Sequence, residues 1–153
     1  MDEELVRRHN EVVGESKHAN IVVHAGDFTL GKRLFALDII SRLNGSHIFL
    51  RGSHDYWLSK FAHEIWEKRI NKQWVVVCHY AMRVWARSHY GSWQLHGHSH
   101  GTLMGQGKQW DIGVDKNDFR PVSFDNICRI MAQLPDNLNN GRKCYRKNNG
   151  SQR

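Results

Sequence analysis

The sequence predicts an α/β fold built around one core. Short runs rich in β-branched and aromatic residues alternate with segments of helical periodicity, and the strand-like runs open into loops of glycine and polar residues. The chain has 153 residues, 40% of them hydrophobic and six of them tryptophan, which suffices for a single domain.

Residues 2–13 are predicted helical, with Asp2 placed to cap, Glu3 and Glu4 in the first turn where the helix dipole favours acids, and Gly14 as the stop. Residues 20–25, carrying Val22 and Val23, read as a short buried strand that opens into Gly26-Asp27. Asp27 then emerges at the carboxyl end of a strand, where ligands collect in layered α/β folds. Residues 31–43 place Phe35, Ile39 and Leu43 on one helical stripe that Asn44-Gly45 terminates.

Residues 46–51 form the next expected strand, which leads into Gly52-Ser53-His54-Asp55. Leu58, Phe61, Ala62 and Ile65 recur at i, i+3, i+4 and i+7, which predicts an amphipathic helix over 57–69. Residues 73–78, with Trp74, Val75, Val76 and Val77, are the most strand-like run and deliver His79. Residues 80–92 read as a loop with a short helix, 92–96 as a strand, and 108–114 as another strand after the Gly105 and Gly107 turn. Ser123 caps a last helix through Gln133, with Phe124, Ile127 and Met131 inward and Pro135 closing it. No internal repeat is present.

Composition narrows the partners. Cys78, Cys128 and Cys144 are odd in number and widely spaced, which argues against a disulfide framework or a zinc knuckle and fits a reducing compartment. No apolar run approaches bilayer length, and the start Met1-Asp2-Glu3-Glu4 is acidic where a secretory signal is basic, so the expected location is cytoplasmic, with no membrane partner. The formal net charge is +7, and five basic residues (Arg142, Lys143, Arg146, Lys147, Arg153) face one acid, Asp136, near the carboxyl end. The expected organisation is a domain over 1–134 and a basic, disordered tail over 135–153. Such a tail is a candidate contact for nucleic acid, although a solvated end is the simpler reading.

Leu95-His96-Gly97-His98-Ser99-His100-Gly101 places three histidines within five residues, a density suited to metal ligation because neutral imidazole is the commonest nitrogen ligand for divalent transition metals. Alone it is equally a polar surface loop, and a single buried histidine is more often a hydrogen-bonded core residue than a ligand. The weight comes from succession: four strand ends in turn present Asp27, Ser53-His54-Asp55, His79, and then His98 and His100.

In that order, Gly26-Asp27, Gly52-Ser53-His54-Asp55, His79 and Gly97-His98-Ser99-His100 resemble the calcineurin-like metallophosphoesterase superfamily over about residues 1–134. The stretch from Cys78 to Trp85, followed by Ser88-His89-Tyr90-Gly91, resembles its small bacterial and phage members. The resemblance implies a four-layer α/β/β/α sandwich of two mixed sheets flanked by helices. It also implies hydrolysis of a phosphomonoester or phosphodiester, in a phosphorylated small molecule or nucleotide, with manganese, iron, zinc or nickel. In-line attack on a phosphoester needs an oxygen nucleophile at neutral pH, neutralisation of phosphoryl charge and a proton for the departing oxygen, and two ions about 3.5 Å apart supply the first two.

Carried over residue by residue, Asp27 bridges the two ions, His79 and His98 join it on one, and His100 joins it on the other. His54 is the leaving-group acid, with Asp55 orienting its ring. Arg83 and Arg87 are candidate substrate contacts or, equally well, solvated loop charges.

Two departures accompany the match. The superfamily begins with a strand bearing Asp-x-His, and no Asp in this chain is followed two residues on by His, which implies an N-terminally truncated domain, whether a truncated product, a mis-assigned start or a genuine short form. Ser53 stands where the superfamily has a metal-binding asparagine, and a serine hydroxyl is a shorter and weaker ligand that reaches an ion through water. The expectation is one well-held ion at Asp27, His79 and His98 beside a weakened second position. The alternative is an inactive remnant of the fold that serves as a binding or regulatory module.

Overall fold

A computed structural model describes residues 2–15, 20–58 and 62–141. The described residues form three helices, α1 (Asp2–Val13), α2 (Arg33–Arg42) and α3 (Phe124–Gln133), and two sheets. The first sheet pairs β1 (Ile21–His24) with β2 (Ser46–Phe49) in parallel, from Ile21↔Ser46 to His24↔Phe49. The second has the order β3 (Ile65–Ile70), β4 (Gln73–Cys78), β5 (Trp93–His96), β6 (Gln109–Asp111), antiparallel between β3 and β4 and parallel thereafter. An isolated parallel bridge between Leu50 and His63 links the end of β2 to the approach to β3.

α1 runs over the predicted residues and ends at Gly14, whose amide donates to Asn10 with φ at +79°. α2 and α3 also fall where expected, and the Ser123 hydroxyl caps α3 by accepting from the Asn126 amide at 3.3 Å. The helix expected over 57–69 is not formed. A short 3-10 turn covers Tyr56–Leu58 and β3 covers Ile65–Ile70; residues 59–61 lie outside the described part. The reason is the hairpin: Asn71 and Lys72 have φ of 47° and 70°, the two left-handed residues of a tight turn that matches strand twist, and they set six β3–β4 residue pairs in register. Trp66 and Ile70 then pack on the core, which alternation along a strand allows.

The core joins both sheets to α3. Leu50, Val75, Val77, Leu95, Ile127 and Met131 are buried together, with Val23, Trp93, Trp110 and Phe124 packed against them. Burial of such side chains is worth about 1.5–3 kcal/mol each. The segment just after α3, beyond the boundary expected at residue 134, is anchored to the domain. Asn137 is buried, its amide donating to the carbonyls of Ser88 (2.8 Å) and Ser92 (2.9 Å) while its side-chain oxygen accepts from the Lys108 amide (2.8 Å). The Lys108 ammonium donates to the carbonyls of Met131 and Leu134, both at 2.6 Å, at the carboxyl end of α3 where a cation is favoured. The basic residues of the expected tail, from Arg142 on, lie outside the described residues.

Candidate metal centre

The carboxyl ends of β1, β4 and β5 converge on one point. Asp27 lies three residues past β1, His79 directly past β4 and His98 two residues past β5. The Nε2 of His79 lies 3.2 Å from Asp27 Oδ2 and 3.1 Å from His98 Nδ1. One ligand atom from each of the three residues lies within 4.8 Å of the others, a group that can hold a metal ion.

The local fold explains the convergence. Gly26, with φ at +91°, turns the chain after β1, and a Cβ there would meet His79 Nδ1 at 2.5 Å and Gly52 Cα at 2.8 Å, so only glycine lets the segments after β1, β2 and β4 approach. Asp27, His98 and His100 have φ of 53°, 61° and 46°, a left-handed conformation that side-chain-bearing residues rarely adopt and that persists where surrounding contacts over-determine it.

Those contacts define the chemistry. His79 is 1% exposed, and its Nδ1 lies 2.8 Å from the Ala25 carbonyl, a group that only accepts. The proton is therefore on Nδ1, and Nε2 carries a lone pair toward Asp27 and His98. A ligating histidine typically has its second nitrogen held in this way. Burial pushes the Asp27 carboxyl up, but the His54 amide (2.7 Å to Oδ1), the Ser53 hydroxyl (3.0 Å to Oδ2) and the imidazoles of His79 and His54 outweigh it and hold the group below its ordinary value. Asp27 is thus an ionised carboxylate at neutral pH beside two nitrogen donors. This donor set suits a borderline first-row divalent ion.

The other predicted residues are placed differently. Ser53 spends its hydroxyl on Asp27. Asp55, expected to orient His54, is 1% exposed, and its two oxygens accept from the amides of Asp27 (2.6 Å), Phe28 (3.0 Å) and Gly52 (2.9 Å), which makes it a clasp that joins the two loops. His54 is exposed, tied to the centre through its own amide. His100 lies outside the three-residue group, its Nδ1 on Asp115. Arg87 stacks on Trp74, 4.4 Å from the ring centroid, and neither Arg83 nor Arg87 lines the cleft at the centre.

That cleft has a volume of about 710 Å³ and runs from His9 and Val13 of α1, along Val22 to Ala25, to Asp27, His98, His100 and Asp115. Sequence reasoning missed three neighbours of the site: the Ala25 carbonyl, Asp111 and Asp115. Tyr80 is a further neighbour, its ring edge-on to both His79 and His98 at 4.7 Å. The one sequence signal for the two acids is their spacing around a glycine, Asp111-Ile112-Gly113-Val114-Asp115, just after a strand.

No protein-family model matches the chain. It is 26% identical over 142 residues to the uncharacterized protein MJ1445 of Methanocaldococcus jannaschii, covering 87% of this chain and 76% of that protein. Among solved structures it is similar to the protein of unknown function AQ665 from Aquifex aeolicus, with a TM-score of 0.66 and 18% identity over 84% of each chain. The likeness shows a fold shared with a solved chain. No helix among the described residues is long and apolar enough to cross a membrane.

Proposed function

We propose that this chain is a metal-dependent phosphoesterase of the calcineurin-like kind. The observation that carries the reading is the approach of His79 Nε2 to Asp27 Oδ2 and His98 Nδ1, three donors from three strand ends, with the His79 tautomer already set by Ala25. Two sheets sharing one core, flanked by helices, with the donor-bearing loops at the ends of parallel strands, are what the calcineurin-like sandwich requires. Manganese, iron, zinc and nickel all suit one carboxylate and two imidazoles.

Asp27, His79 and His98 would hold a divalent ion, which would supply Lewis-acid stabilisation of phosphoryl charge and activation of water near neutral pH. The chain's own groups do the rest. Asp27 brings a full negative charge kept ionised by the His54 amide and the Ser53 hydroxyl. His79, buried and fixed, resists rearrangement when substrate enters. His54 is exposed next to Asp27, which its backbone amide contacts, and its ring would be the proton donor to the departing oxygen. The cleft volume of about 710 Å³ fits a ligand of nucleotide size.

The test uses the full chain with added manganese and a chromogenic phosphodiester. Turnover should be saturable, fall about a thousandfold or more in His79→Ala because the ion is lost, and fall about 10²–10⁴-fold in His54→Ala because only the proton donor is removed. Turnover that His79→Ala leaves intact, or none with any of the four metals, overturns the reading.

A further inference from the structure

The cleft of about 710 Å³ has the volume of a nucleotide but not the lining that holds one. Among the described residues no lysine or arginine lines it, so a charged body finds no counter-ion along its length. Three polar side chains of its long wall are engaged with protein partners. His24 Nε2 lies 3.0 Å from His47 Nδ1, His9 Nε2 lies 3.0 Å from the Asn44 carbonyl, and the Asn20 side-chain amide donates to the Val13 carbonyl at 2.8 Å. Burial holds His24 and His9 below the ordinary histidine value, so both rings are neutral near pH 7.

What the cleft presents instead is apolar surface without a partner. Val12, Ile21, Phe35, Val114 and Phe119 all line it, and each keeps between 40% and 56% of its surface exposed. They come from α1, β1, α2 and the segment after β6, four separate parts of the chain arranged around one space. Contiguous bare apolar surface of this kind marks a binding site. At one end of it stand Asp27 and His98, two of the three candidate metal ligands. An apolar wall leading to a few convergent polar groups is the usual build of a small-molecule site.

We propose that the cleft takes the hydrocarbon chain of a phosphate monoester, a long-chain alkyl or isoprenyl phosphate, with its phosphoryl head at the Asp27–His79–His98 group. This substrate class rests on the reading of that group as the centre of a phosphoesterase. Water adds to phosphorus, the P–O bond to the chain breaks, and the departing oxygen takes a proton, which gives the long-chain alcohol and inorganic phosphate. Charge is complementary at one end only: the anionic head meets the cation that the group would hold, and the neutral chain meets a wall with no cation of its own.

The test gives the full chain, with manganese, a series of n-alkyl phosphates from butyl to decyl below their micellar concentrations. The value of kcat/KM should rise about three- to fourfold for each methylene until the chain outruns the cleft. Adenosine monophosphate should be poorer than decyl phosphate by about tenfold or more. A second readout needs no turnover: the Kd of the matching n-alkylphosphonates, by calorimetry, should follow the same dependence on chain length. Ile21→Asp and Phe35→Asp, both at half-exposed positions, should compress the decyl-to-butyl ratio about tenfold or more, with folding checked by circular dichroism.

A series flat in chain length, adenosine monophosphate as good a substrate as decyl phosphate, or a ratio that both folded variants leave unchanged overturns the assignment. Turnover of butyl phosphate that His79→Ala abolishes, with no gain from longer chains, overturns it while leaving the proposed centre standing. No turnover and no phosphonate binding brings down both.

Discussion

Gly52 packs directly against Asp27: a methyl group on its Cα would collide with both the amide nitrogen and the carboxylate Oδ1 of Asp27, while the Gly52 amide is already given to Asp55. Its backbone is not left-handed, so the requirement for glycine is steric alone. Gly52→Ala should therefore cost about 1–3 kcal/mol of stability through overpacking. Manganese affinity should drop about tenfold or more as Asp27 is pushed off His79. Thermal denaturation and calorimetry check the two effects, and a variant with wild-type affinity would show that the Asp27 loop yields without moving its carboxylate.

Asp55 is the second test, because two roles predict opposite phenotypes. Its oxygens accept from three amides at 2.6–3.0 Å in a buried setting. Removing them strands buried donors at about 1–3 kcal/mol each, so Asp55→Ala should be destabilised by about 3 kcal/mol or more in urea. Asp55→Asn, which keeps one acceptor, should fall between. A residue that merely oriented His54 would lower turnover at unchanged stability, and that result would restore the role expected from the sequence.

The candidate ligands are legible because each is attached to a strand end that hydrophobic runs mark: residues 20–25 lead to Asp27, 73–78 to His79 and 92–96 to His98. What was not legible is what side chains do once loops meet. Asp55 follows His54 in sequence and so invites a pairing between neighbours, but its partners lie 3, 27 and 28 residues away. The helical spacing of Leu58, Phe61, Ala62 and Ile65 competes with a strand pattern in Ile65, Trp66 and Ile70. The deciding signal, a left-handed Asn71-Lys72 turn, lacks the glycine that usually announces it. Residues 108–114 read as one strand, whereas β6 stops at Asp111 because that side chain turns back onto the Gly101 and Gly113 amides.

Arg87 separates a structural cation from a substrate contact. Its guanidinium stacks on Trp74, on a surface that includes Ile65, Val76 and Trp85 and lies away from the cleft. Arg87→Ala should cost about 0.5–1 kcal/mol in urea denaturation through the lost cation–π contact. It should leave manganese affinity and KM for a phosphodiester within twofold of wild type. A KM increase of tenfold or more at unchanged stability would return Arg87 to the substrate site.

Three imidazoles packed between α1 and the two-stranded sheet make stability depend on pH. His24 Nε2 lies 3.0 Å from His47 Nδ1, His9 stacks on His24 at 6.3 Å between centroids, and His9 Nε2 lies 3.0 Å from the Asn44 carbonyl. Burial, then the neighbouring imidazoles of His47 and His9, depress His24 to about 3. Burial also lowers His9, against a smaller opposing pull from the Asn44 carbonyl, and lowers His47, with His9 adding to the effect and the Leu43 carbonyl opposing it.

An unfolded histidine titrates near 6.5, so below that value the unfolded chain binds more protons than the folded one. The contribution is complete above about pH 6.5 and is lost as pH falls toward the depressed folded values, by on the order of a few kcal/mol near pH 4. Asp27, also depressed, loses its contribution only below the ordinary carboxylate range and so does not compete in this window. His100, raised by Asp115, has the opposite sign, with stability present below 6.5 and lost as pH rises, but its exposure keeps the effect small. The urea midpoint of wild type should fall steadily from pH 7 to 4.5. His24→Phe, placed beside Phe28 and Phe49 at 5.0 and 4.5 Å from the present ring, should flatten that fall. A wild-type midpoint constant over the same range would mean that the three rings accept protons without disturbing α1.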